Sequence, residues 1–169
     1  KQCPPIVLYA HRRMGKTSIL KNLSTRLKST NIRVVDFNMQ IVGHISSTNE
    51  LLYALARQIA RAIQQPDILS KIATSQTAFL EHNPYYALNS FFQRLEHALA
   101  QAQCNYRFVI AVDEFEKIEE KIINQQLSKE LLEFLRGLTQ TYAWFSIIFA
   151  GLHTIEEMCF DYWSPFFTS

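Results

Sequence analysis

Lys16 and Thr17, directly after Gly15 and just before Ser18, have the types and order that suit contact with a phosphate. A lysine reaches the outer phosphates of a nucleoside triphosphate, and a threonine hydroxyl beside it can ligate the accompanying Mg²⁺. Asp113 and Glu114 form a second chemical pair about a hundred residues later, where an apolar run leads straight into them. Phosphate hydrolysis needs one carboxylate to hold Mg²⁺ and a second group to orient or deprotonate the attacking water. Asp113 suits the first task and Glu114 the second.

The stretch "AHRRMGKT" (10–17) is close to the pattern G-x-x-x-x-G-K-[ST], except that Ala10 stands where the first glycine is usual. In that pattern the backbone wraps so that several N–H groups and the positive end of a helix dipole face one point. Alanine adds one methyl group, which the turn tolerates if its φ is negative. The phosphate-contacting set is then Ala10, His11, Arg12, Arg13, Met14, Gly15, Lys16, Thr17 and Ser18, with Thr17 and Asp113 as metal ligands and Lys16 and Glu114 as catalytic groups. His11 needs no specific role. Glu116, Glu119 and Glu120, further along "DEFEKIEE", read as a solvated acidic helix.

Elements of the right kind flank both motifs. "IVLYA" (6–10) reads as a buried strand, and from Gly15 the apolar residues Ile19, Leu20, Leu23 and Leu27 fall on one helical face. "IRVVDFNM" (32–39) is a second strand. Ser47 and Glu50 have capping-box spacing ahead of a helix faced by Leu51, Leu52, Leu55, Ile59 and Ile63, and Pro66 marks its stop. A short helix within 67–80 follows. Asn83 and Pro84 then open a helix with Leu88, Phe91, Phe92, Leu95 and Leu99 on one side. "YRFVIAVDEF" (106–115) and "AWFSIIFAGL" (143–152) are further strands around a helix over 125–142, and Gly151 breaks the last one. Alternating strands and helices predict an α/β fold in three α-β-α layers around a parallel sheet.

The bulk numbers agree with one domain. The chain has 169 residues, 48% of them hydrophobic, and a formal net charge of +2. That charge is too small to point to nucleic acid, and no apolar run reaches the length of a membrane span. Cys3, Cys104 and Cys159 are odd in number and far apart, which fits free thiols in a reducing, cytoplasmic setting. The aromatic stretch "YWSPFF" suggests a surface covered by the remainder of a longer multidomain protein.

With both motifs in view, "RRMGKTS" resembles the phosphate loop of the STAND class (signal-transduction ATPases with numerous domains) and of the related, AAA-like archaeal-type ATPases. "VIAVDEFEKI" is similar to their Walker B strand, and "FAGLHTIEEM" with "DYWSPFF" resembles the segment after it in bacterial members. The resemblance implies a P-loop domain of the additional-strand type, with strand order 5-1-4-3-2 and the fifth strand possibly outside this chain. It implies ATP and Mg²⁺ as cofactors and slow hydrolysis. It also implies a regulatory switch in a signalling or defence protein, working against other domains of the same chain and oligomerising on activation. His153 or Thr154 would sense the nucleotide, although Thr154 with Glu157 equally fits a helix cap. One of Arg12 and Arg13 would contact phosphate or pair with an acid across the site, or both would be surface charge. Origin-recognition ATPases share the implied fold, so a DNA-associated ATPase is the alternative, together with a scaffold that binds nucleotide without hydrolysing it.

Overall fold

A computed structural model describes residues 5–11, 13–27, 31–39, 43–153, 158 and 160–163. Among them, four strands form one parallel sheet: β1 (Ile6–Tyr9), β2 (Ile32–Asn38), β3 (Arg107–Asp113) and β4 (Phe145–Gly151). Their order is β1-β4-β3-β2, so the last strand in sequence is inserted beside the first. This is the order the resemblance implies for strands one to four. No fifth strand stands beside β1 among the described residues.

The register places the chemistry. Tyr9 pairs with Gly151, Asn38 with Asp113, and Asp113 with Ala150. The carboxyl ends of all four strands therefore lie at one edge, where open parallel sheets bind ligands. The two central strands are buried on both sides. Phe108, Ile110, Val112, Ile147 and Phe149 face the larger core, while Ala111, Ile148 and Ala150 face a smaller one with Leu20.

The helices cover the faces unequally. α1 (Lys16–Leu27) packs on β2 and β4 over the smaller core. Leu20 is buried there, but Ile19 is half-exposed, so the helix turns a narrower face inward than its apolar spacing suggests. The other face carries α2 (Thr48–Arg61), α3 (Pro66–Ile72), α4 (Gln76–Leu80), α5 (Pro84–Gln101), α6 (Glu116–Ile123) and α7 (Glu130–Thr141), and α8 (Phe160–Trp163) lies near the chain's end. Phe92 meets Tyr142, Trp144 and Phe145 with ring centroids 4.8–5.2 Å apart, a cluster at the opening residue of β4. It secures the sheet at the end remote from the ligand edge.

The caps follow local chemistry. Ser47 Oγ accepts from the Glu50 N–H, while Glu50 Oε2 accepts from the Ser46 N–H, one residue earlier than a reciprocal box requires. Asn83 Oδ1 accepts from the N–H groups of Tyr85 and Tyr86 at the start of α5. Pro66 opens α3 rather than stopping α2, which ends at Arg61. The region 67–80 holds two short helices, and the expected helix over 125–142 starts only at Glu130. Gln125 breaks the chain there with φ 58. No described helix is long and apolar enough to cross a membrane.

Candidate functional site

β1 hands the chain to a tight loop. The Ala10 N–H donates to the Gly151 carbonyl at 3.3 Å, and the Met14 N–H to the His11 carbonyl at 3.3 Å. Ala10 is not in the left-handed region, so its methyl group meets the condition set above. Among the described residues of the loop, Arg13 (φ 65) and Gly15 (φ 85) are left-handed. A Cβ on Gly15 would meet nothing within 4 Å, so glycine is required there for its φ and not for space. Arg13 bears the same conformation without being glycine, at a cost of about 1–3 kcal/mol that local structure must offset.

Lys16 opens α1 and folds back over the loop. Its Nζ donates to the carbonyls of Ala10 (2.5 Å) and His11 (3.1 Å). One residue on, Thr17 Oγ1 donates to Asp113 Oδ2 at 2.6 Å. The other carboxylate oxygen, Oδ1, accepts from the Glu114 N–H at 3.1 Å. Asp113 is only 5% exposed, and these two donors answer the cost of burying it.

β3 ends at Asp113, and Glu114 leaves it with φ 57. A non-glycine residue in that conformation is uncommon, and such residues cluster at functional sites. The turn is held from behind: the Phe115 N–H donates to the Ala150 carbonyl at 3.2 Å, and the Phe115 ring is fully buried against Phe149 and Trp163. The end of β4 thus bonds to both motifs, through Gly151 to the loop and through Ala150 to the acidic turn.

Between them lies a cleft of about 950 Å³. Arg13, Gly15, Lys16, Thr17, Ser18, Asp113, Glu114 and His153 all line it. Met14 is 66% exposed and is not part of the wall, and Ala10 and His11 contribute carbonyls to Lys16. Arg12 and Thr154 lie outside the described residues. Glu116, Lys117, Gly151 and Met158 also line the cleft, although the sequence reading assigned them no site role.

The acidic run is not the solvated face expected of it. Glu116 Oε2 is buried with no hydrogen-bond partner, and Glu119 Oε2 accepts from Trp163 Nε1 at 2.7 Å. Glu120 alone matches the expectation, exposed and paired with Lys117. The sequence signal for Glu116 was its place in the first turn after the acidic pair. The signal for Gly151 was a glycine at the carboxyl end of an apolar strand.

The arrangement has the oxygen ligands that Mg²⁺ prefers. Among the described residues no three His, Cys, Asp or Glu side chains are placed to cage a metal, and Mg²⁺ bound with a nucleotide needs only one or two protein oxygens beside phosphates and water. Thr17 and Asp113, already in contact, are the residues that could hold it.

A family model described as "AAA domain" matches residues 1–159. No curated protein matches. Among solved structures, a chain in "Structure of Drosophila ORC bound to DNA" is similar with a TM-score of 0.59 and 21% identity. The match covers 93% of this chain and 34% of that one, so this chain spans about a third of its length. At that identity the likeness concerns the fold.

Proposed function

The chain belongs to the AAA domain family, and on that premise we propose that it is an Mg²⁺-dependent module that binds ATP, hydrolyses it slowly and acts as a regulatory switch in a longer signalling or defence protein. The contact between Thr17 and Asp113 carries the reading, because it joins the two motifs that a phosphate site requires. Lys16 would leave the loop carbonyls for the outer phosphates, and the N–H groups of the loop and of the α1 amino terminus would face the same oxygens. Mg²⁺ held by Thr17 and Asp113 would neutralise charge on the β- and γ-phosphates. Glu114 would orient the attacking water from the cleft wall. His153, in the same wall, suits a sensor of the outer phosphate, and the domains beyond this chain would respond to that state.

The direct test is equilibrium binding and turnover of ATP by the purified chain with and without Mg²⁺. Saturable, Mg²⁺-dependent binding is expected; none at millimolar ATP would overturn the reading. A DNA-associated ATPase is separable by duplex-DNA binding over a salt series, where tight, salt-sensitive binding would be required. The net charge of +2 supports the switch over that alternative.

A further inference from the structure

We propose that Glu116 and Arg13 pair across the cleft when nucleotide fills it, making Glu116 a positioning residue that latches the phosphate loop to the end of β4. The inference rests on the nucleotide reading above and concerns how that site is held closed.

Glu116 Oε2 is buried and lacks any hydrogen-bond partner. A buried carboxylate oxygen left unpaired is costly, and it persists where the surroundings hold it in place. They do so here. Glu116 follows Phe115, whose buried ring and backbone bond to Ala150 anchor the turn. Its carboxylate rests on Gly151, where even one added methyl group would collide with it.

Few cations among the described residues can answer it: those that line the cleft are Arg13, Lys16, Lys117 and His153. Lys16 is bound to Ala10 and His11, and serves phosphate in the proposed mechanism. Lys117 pairs with Glu120 at 3.5 Å and, as the next residue on the helix, projects from a different face than Glu116. His153 already has an interaction of its own. Arg13 is exposed, and no hydrogen bond or ion pair engages it among the described residues. Its loop begins at Ala10, which bonds to the same Gly151 on which Glu116 rests. The loop and the orphaned carboxylate therefore both adjoin Gly151, and Arg13 and Glu116 line the same cleft. A bound nucleotide displaces water from the cleft and strengthens such a pair, because charge attraction grows as the local dielectric falls.

A double-mutant cycle tests this. Arg13→Ala, Glu116→Gln, their combination and the charge swap Arg13→Glu with Glu116→Arg are compared for the Kd of Mg·ATP, and for thermal unfolding without nucleotide. Each single variant is expected to weaken ATP binding about tenfold. The double should be no worse than the poorer single, the swap should recover most of the loss, and Arg13→Lys should recover part of it. Without nucleotide the two positions should show no coupling in unfolding. Additive losses in Kd would overturn the pair, as they would if Arg13 touched only phosphate. Absence of ATP binding by the unmodified chain would instead overturn the nucleotide reading, so the two failures are distinguishable.

Discussion

Thr17 Oγ1 and Asp113 Oδ2 lie 2.6 Å apart across 96 residues of sequence, and their hydrogen bond joins the first turn of α1 to the carboxyl end of β3. Asp113 has one other donor, the Glu114 N–H. Removing the hydroxyl with Thr17→Val should therefore lower stability by about 1.5–3 kcal/mol, the range for a hydrogen bond to a charged group. It should also abolish the gain in ATP affinity that Mg²⁺ confers while leaving Mg²⁺-free binding nearly unchanged. Urea unfolding and calorimetric titration of ATP with and without Mg²⁺ read the two effects. Equal losses in both titrations would mean that Thr17 serves only as a strut for Asp113.

Lys16 and Glu114 should fail in different ways. Lys16 is the ammonium held at the loop carbonyls, so Lys16→Ala should remove detectable ATP binding. Glu114 lies on the cleft wall, and Glu114→Gln should keep binding within a few-fold while lowering turnover by about 10²-fold or more, as for loss of a general base. Filter binding and single-turnover phosphate release separate these outcomes. A Glu114→Gln variant that hydrolyses at the parent rate would assign the water to another group.

The strand-loop-helix around Lys16 and the acidic strand end were legible because apolar runs frame them, and both are where the sequence places them. The sheet order was not legible from periodicity. β3 and β4 are both buried on two faces, so nothing in their alternation says which lies beside β1; only the resemblance supplied the order. The late start of α7, at Glu130 and not at 125, was hidden for a related reason. Leu127 is buried like Leu131 and Leu135, so the apolar spacing runs on through the turn at Gln125 (φ 58) and the residues after it. Glu116 was misread because its Oε2 is buried close to Gly151, 35 residues away, and an acidic run gives no local sign of that approach.

Asp36 gives a pH dependence. The Asp36 side chain is exposed at the surface of β2, yet partial loss of water on its sheet side pushes the carboxyl above its ordinary value of 3.8; the Lys21 ammonium opposes this and the Asp113 charge adds to it, and the surrounding solvent keeps the effect on stability small. A carboxyl raised on folding favours the native state most when protonated, so its contribution is largest below 3.8 and is lost as pH rises through the folded value. Asp36→Asn removes that loss. The variant should be more stable than the parent at neutral pH, with the difference shrinking as pH falls through the carboxylate range. Urea midpoints over a pH series check the sign, and an Asn variant less stable at neutral pH would reverse it.

Gly151 and Gly137 should respond oppositely to alanine. At Gly151 a Cβ would lie 2.5 Å and 2.6 Å from Phe115 Cε1 and Cδ1, and it would also strike Glu116 Oε2. The carboxylate end of Glu116 can turn aside, but the Phe115 ring cannot. It is 0% exposed and packs edge-on to Trp163 at 4.9 Å and tilted on Phe149 at 5.7 Å. Gly151→Ala should therefore cost about 1–3 kcal/mol, the range for overpacking a filled core. Any adjustment of the ring also shifts the turn that carries Glu114, so ATP turnover should fall further than stability alone explains. Gly137, inside α7, has nothing within 4 Å of a Cβ, and Gly137→Ala should stabilise the chain by about 0.5–1 kcal/mol through helix propensity. Thermal and urea unfolding of the two variants, measured together, give the contrast. A Gly151→Ala variant as stable as the parent would show that the ring yields, and that the close approach of β4 to the acidic turn is not needed to hold Glu114.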